Sequence, residues 1–169
     1  MTDELGPRPI PVVELRAATV ADLTLLETDR AAFAQRMGSP APGGWPEFPE
    51  AVGFTIDRLL SHPFEADWWM HYFLLNGLIV GSGGYVGRPK KRVAEIGYEI
   101  APGFRGRGLG SELLSAAEVH AREKGCRVVI LSSHSFQAPD FYVRRGYQQV
   151  AQISDYPVGY DDIVLVKRL

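Results

Sequence analysis

The sequence predicts one α/β domain, a mixed sheet flanked by helices. Three observations lead there. The chain is 169 residues long, and single compact domains commonly run to about 100–200 residues. Its β-like runs and amphipathic stretches alternate in the order strand, two helices, three strands, helix, strand, helix, two strands, which packs as a mixed sheet with helices on it. No repeat, low-complexity stretch or domain boundary interrupts that order.

The elements follow from local pattern. Residues 1–11, carrying Pro7, Pro9 and Pro11, read as a flexible N-terminus, and 12–169 as the folded domain. Val12 to Arg16 is β-like. Thr19 is an N-cap with Asp22 in the capping-box place; Leu23, Leu26, Arg30 and Phe33 then extend a helix over 20–36. Gly38 to Pro49 is an ordered loop, because Trp45 and Phe48 do not belong in a linker. Glu50 to Leu60 is helical and stops at Ser61-His62-Pro63.

Trp68 to Leu75 and Leu78 to Tyr85 flank Asn76-Gly77, a strong hairpin signal. In the strand Val93 to Ile100, Ala94, Ile96, Tyr98 and Ile100 face one way, and Val93, Glu95, Gly97 and Glu99 the other. Gly108 to Lys124 is an amphipathic helix with the stripe Leu109, Leu113, Ala116, Ala117 and Ala121, ended by Gly125. Arg127 to Ser132 is a strand, Ala138 to Arg145 a short helix ending at Gly146, and Tyr147 to Ile153 and Ile163 to Lys167 are the last strands.

Composition narrows the function. A formal net charge of −2 gives no reason to expect nucleic acid. Basic residues do cluster at Arg88, Lys90, Lys91 and Arg92, and again at Arg105 and Arg107, a pattern suited to a small anion. The single cysteine, Cys126, excludes an intramolecular disulfide and reads as core filler. No run approaches the ~20 apolar residues of a membrane span. A cytoplasmic protein is expected.

Phe104-Arg105-Gly106-Arg107-Gly108-Leu109-Gly110-Ser111 joins a strand to a helix. Glycines let the backbone approach an anion, and the first-turn N–H groups of a helix lack intrahelical partners. With the helix dipole this makes a pyrophosphate seat, to which Arg105 and Arg107 add charge. A dinucleotide fingerprint fails here, since Cys126 to Ser133 holds no acid; a P-loop fails for want of Gly-Lys-Ser/Thr. A turn whose glycines merely relieve sterics is the bland alternative.

The same loop resembles the acyl-CoA signature of the GNAT N-acetyltransferases, Arg/Gln-x-x-Gly-x-Gly/Ala, as Arg105-Gly106-Arg107-Gly108-Leu109-Gly110. Glu95 to Pro102 is similar to that family's fourth strand running into its pyrophosphate loop. A second match is Ser135-Phe136-Gln137-Ala138-Pro139-Asp140-Phe141-Tyr142 with Gly146-Tyr147, similar to the later motif of an aromatic-Tyr pair before Gly and an aromatic. One helix and one strand separate the two motifs, as in the family. The resemblance implies a mixed, mostly antiparallel sheet splayed between strands 4 and 5 near Ile100. It implies acetyl-CoA as cosubstrate, no metal, and no covalent nucleophile. The acceptor would be the primary amine of a small molecule or of a protein or peptide, and a homodimer is what the family often shows.

Residue by residue, the resemblance places the pantetheine arm on backbone groups of Tyr98, Glu99 and Ile100, one N–H of that segment serving as oxyanion donor. It seats the pyrophosphate on Arg105, Gly106, Arg107, Gly108, Leu109, Gly110 and Ser111. Ser135 stands where many members carry Asn, with shorter reach. Tyr142 matches the tyrosine that protonates the departing sulfur; a phenol with a pKa near ~10 stays protonated at neutral pH. Glu95 and Glu99, on one strand face, are candidate bases with Glu95 ahead, and His134 is a further one. Trp45, Phe48, Trp68, Trp69 and His71 fall near the acceptor side, at least half of them expected in the core. Asp155, Tyr156 and Tyr160 occupy a loop able to close over the acceptor. A non-catalytic acyl-CoA-binding module is the rival reading.

Overall fold

The computed structural model describes residues 12–169; the stretch expected to be a flexible N-terminus lies outside the described residues. One seven-stranded sheet runs in the order β1-β2-β3-β4-β5-β7-β6. The strands are β1 (Val13–Ala17), β2 (Met70–Leu75), β3 (Leu78–Tyr85), β4 (Val93–Ile100), β5 (Val128–His134), β6 (Gln148–Ile153) and β7 (Asp162–Arg168). Every neighbouring pair is antiparallel except β4 with β5. The parallel exception follows from connectivity, because a helix, not a hairpin, joins those two strands.

The helix expected over 20–36 is two helices, α1 (Val20–Thr28) and α2 (Arg30–Met37). Asp29 breaks it: its backbone is extended and its carboxylate accepts from the N–H groups of Ala31 and Ala32, capping α2. Such a side-chain cap offers the backbone an alternative to a continuous helix. The Thr19–Asp22 capping box is present in both directions. Asp22 is also buried and bonded to Arg36. Burial alone pushes its carboxyl up, but hydrogen bonds from Arg36 and Thr19 outweigh that and hold it below the usual range.

Helix α3 (Glu50–Ser61) leads through a 3₁₀ turn, Pro63–Trp68, into β2, so Trp68 precedes the strand expected to contain it. Helix α4 (Leu109–Glu123) buries Leu109, Leu113 and Ala121 of the expected stripe. Ala116 is exposed, and Leu114 and Glu118 are buried in addition. The apolar face is therefore rotated toward β7, where Lys167 pairs with Glu118 at 2.7 Å. Helix α5 (Pro139–Val143) is one short turn.

Helices α1–α3 cover one face of the sheet, their core built on Leu23, Phe33, Trp45 and Tyr72. Helix α4 covers the other, where Leu114 packs with Val129, Leu131 and Tyr147. Burying a Phe or Leu of this kind contributes about 1.5–3 kcal/mol. Cys126 is buried in this second cluster, as core filler.

The sheet forks between β4 and β5. They pair only at Val93–Val128, Ala94–Val129 and Glu95–Ile130. The opening thus starts after Glu95, earlier than the expected position near Ile100. Beyond it β4 stays paired with β3 to Ile100, and β5 with β7 to His134. Each strand follows its fully bonded outer neighbour, and the twist of the sheet separates their ends.

Candidate functional site

The fork exposes main chain. Ala101 donates its N–H to Val80, and the Glu95 carbonyl accepts from Val86. From Glu95 onward, odd-numbered residues of β4 thus spend their backbone groups on β3 and on Val86 just beyond it. Because bonding alternates along an antiparallel strand, the N–H and C=O groups of Ile96, Tyr98 and Ile100 face the fork. Of the three expected backbone contacts, Tyr98 and Ile100 have that orientation. Glu99 turns its backbone to β3 and its side chain to the cleft.

A cleft of about 790 Å³ fills the fork, with β4 from Ile96 to Ile100 as one wall and β5 from Leu131 to His134 as the other. It continues over Gly106, Gly108, Gly110 and Ser111 at the start of α4. Gly106 and Gly108 have φ of +76° and +82°, and a Cβ on either would meet only open space. Their glycines answer to the left-handed backbone and leave a bare approach to the first-turn amides of α4. Residues, turn and helix end are those an extended ligand with a phosphate head would use. Arg105 and Arg107 behave differently. Arg105 Nε donates to the Ile100 carbonyl at 2.9 Å, and its Nη2 to Glu47. Arg107 folds back to the Gly103 carbonyl at 3.0 Å and lies over the Phe104 ring. The Arg88–Arg92 cluster sits at the opposite end of β4, where Arg88 pairs with Glu65 at 3.0 Å.

Tyr142 lines the cleft from α5 and meets Tyr98 edge-on, ring centroids 6.3 Å apart. Burial pushes its phenol above the usual value, and the Tyr98 hydroxyl pulls it partly back. Burial pushes Tyr98 further up still. Both phenols therefore stay protonated. The two strand carboxylates separate. Glu95 is exposed and is not among the residues lining the cleft. Glu99 lines it, accepting from the Glu47 N–H at 2.8 Å and facing Ser82 Oγ at 3.5 Å. Burial raises the Glu99 carboxyl above its usual value, over the opposing effect of the Glu47 amide.

His134 lines the β5 wall, stacked on Phe136, with Nδ1 3.6 Å from Asp162. Ser135 does not line the cleft: its hydroxyl accepts from the Asp161 N–H at 3.0 Å. Of the five residues expected near the acceptor, Phe48 and Trp69 line the cleft. Trp45 is core, Trp68 packs on Tyr85 and His120, and His71 faces a smaller cavity beneath α4. Phe54 joins the cleft wall, edge-on to Trp69. Tyr160 reaches the rim through Phe136, ring centroids 4.7 Å apart.

Two participants carried no sequence signal. Glu47 sits in the loop between α2 and α3, 52 residues from the carboxylate it donates to. Arg145 lies over the Phe141 ring at 3.7 Å and donates to Ser111 in the first turn of α4. Both are tertiary contacts without a local pattern. Among the described residues no group of three or more His, Cys, Asp or Glu is placed to hold a metal ion, and no helix is long and apolar enough to cross a membrane.

A forked mixed sheet whose cleft ends on a glycine turn and a helix N-terminus defines the class, and comparison with known proteins agrees. Residues 31–147 match the acetyltransferase (GNAT) family. The chain belongs to that family. A blasticidin-S acetyltransferase from Streptomyces morookaense is 42% identical over 90 residues, which span 52% of this chain and 66% of that protein. The structure of an acetyltransferase from Bacillus cereus superposes with a TM-score of 0.54 at 28% identity, over 76% of this chain and 96% of that one. A ribosomal L7/L12 α-N-protein acetyltransferase in complex with coenzyme A gives 0.66 at 19% identity, over 93% and 94%. At that identity the last likeness is one of fold.

Proposed function

We propose that this chain transfers an acetyl group from acetyl-CoA to a primary amine by direct attack. The observation that carries the reading is one continuous cleft joining the fork to the glycine turn, with Tyr142 and Glu99 on its walls. The amides at Gly108–Gly110 would hold the pyrophosphate, and the β4 edge at the Tyr98 backbone and the Ile100 N–H the pantetheine arm, the Ile100 carbonyl being taken by Arg105. Cosubstrate of that shape supplies the activated acyl group; the protein supplies alignment, an oxyanion donor from the β4 edge and proton management.

Glu99 is our candidate base. A carboxyl raised by burial is better matched to taking a proton near neutral pH than an exposed one. Glu95, which the sequence put ahead, stands outside the cleft lining and is the weaker choice. Tyr142, held protonated, gives its hydrogen to the departing sulfur. Two cleft-facing groups suited to proton transfer support catalysis over a binding-only module.

The acceptor in this proposal is a small-molecule amine. Phe48, Phe54 and Trp69 offer an apolar wall beside Glu99, and the blasticidin-S enzyme is a relative by sequence, 42% identical over 90 residues. Thioester release over a panel containing blasticidin S, simple amines and a serine-initiated peptide tests it. Turnover of the peptide alone would reverse the acceptor assignment, and CoA binding without turnover of any amine would leave the binding module. A cytoplasmic setting is part of the same proposal, since acetyl-CoA is used there.

A further inference from the structure

The loop between α2 and α3 is pinned at Trp45 and then released. Trp45 is buried, its Nε1 donates to Ser82 Oγ at 3.0 Å, and its carbonyl accepts from Arg30 at 2.9 Å. Glu47, Phe48 and Pro49 that follow are exposed. Yet the Glu47 N–H sits on the Glu99 carboxylate at 2.8 Å. Its own carboxylate is held by Arg105, whose Nε is anchored on the Ile100 carbonyl at 2.9 Å. A half-exposed ion pair of this kind adds little to global stability. Its effect is orientational: it fixes the one exposed residue whose amide touches the cleft carboxylate.

We propose that Glu47 is a positioning residue, gripped through its carboxylate by Arg105 of the glycine turn so that its backbone N–H stays on Glu99. The inference rests on Glu99 being the base of the proposed transfer. Arg105 then acts as the strut between the cofactor turn and the acceptor carboxylate. That accounts for a cationic side chain turned away from the helix N-terminus beside it.

The groups facing Glu99 are Glu47 from the loop, Ser82 from β3 and Arg105 from the glycine turn. Glu47 acts on it twice, its amide lowering the carboxyl pKa and, more weakly, its carboxylate raising it. Glu47→Ala therefore separates two cases by sign. Where the side chain holds the amide in place, removing it loses both influences and the Glu99 midpoint rises. Where the amide needs no grip, only the repulsion is lost and the midpoint falls.

The experiment is an NMR titration of the Glu99 carboxylate in wild type, Glu47→Ala and Glu47→Gln. The Gln amide oxygen can still accept from Arg105 without the charge, so its midpoint should fall below wild type while that of Ala rises. Kinetics should follow, with kcat for Glu47→Ala down about tenfold, less than the ~10²-fold attached to a 1 Å misplacement. CoA affinity should stay within about twofold, and Glu47→Gln should recover most of the rate. Midpoints that fall alike in both variants would overturn the proposal. So would an unmoved midpoint with weakened CoA binding, which assigns the pair to the cofactor seat. The titration reads the grip even if wild type acetylates no amine, an outcome that would remove the catalytic reading alone.

Discussion

Tyr142→Phe removes one oxygen from a cleft wall. The ring keeps its edge-on contacts with Tyr98, Phe141 and Tyr147, at centroid distances of 6.3, 5.1 and 5.9 Å. Folding and CoA binding should therefore survive. The hydroxyl matters where charge develops: a thioester sulfur accepts hydrogen bonds poorly and a thiolate well, so the contact belongs to the transition state. General acid assistance contributes about 10²–10⁴-fold, and a thiolate leaves readily, so the expected loss is near 10²-fold in kcat, about 2.7 kcal/mol. Because burial raises the phenol, wild type should show no loss of this acid up to its ordinary pKa of about 10. The assay is steady-state thioester consumption with the best amine from pH 6 to about 10, beside a CoA titration. Weakened CoA binding with kcat preserved would refute the reasoning and make Tyr142 a pocket wall. Full activity would leave the hydroxyl without a role.

Three further outcomes are expected. Gly108→Val puts a β-branched residue at φ +82°, a strain of about 1–2 kcal/mol. It also crowds the approach to the α4 amides, so calorimetry should find CoA binding weakened at least tenfold in a folded protein. Glu99→Gln should lower kcat/KM most at neutral pH. The acidic limb of the wild-type profile should lie above the ordinary carboxylate range, because burial raises Glu99 and the base must be ionised to act; unaltered profiles would clear Glu99 of the role. Asp22→Asn should cost about 1–2 kcal/mol by denaturant titration at pH 7, as a charge-assisted bond to half-exposed Arg36 is lost. A carboxyl depressed in the folded state stabilises above the unfolded Asp pKa of about 3.9 and loses that contribution as pH falls through its lower folded value. The gap between the two proteins should accordingly close below about pH 4.

Local pattern alone determined a good deal of this protein. Alternation sorted the two faces of Val93–Ile100, Asn76-Gly77 set the hairpin, and the Thr19 box set the start of α1, since each depends on neighbours within a turn or a strand pair. The glycine turn was equally legible, because positive φ and a bare approach demand Gly at Gly106 and Gly108 whatever the surroundings. Tertiary structure alone decided the rest. It placed the fork after Glu95, where competing partners draw β4 and β5 apart. It brought Glu99 rather than Glu95 to the cleft, although both share a strand face. It tied Ser135 to Asp161, and it joined Glu47, Glu99 and Arg105 across 58 residues of chain. Side-chain chemistry and period are written locally, whereas burial, desolvation and hydrogen-bond partners are properties of segments that meet only on folding.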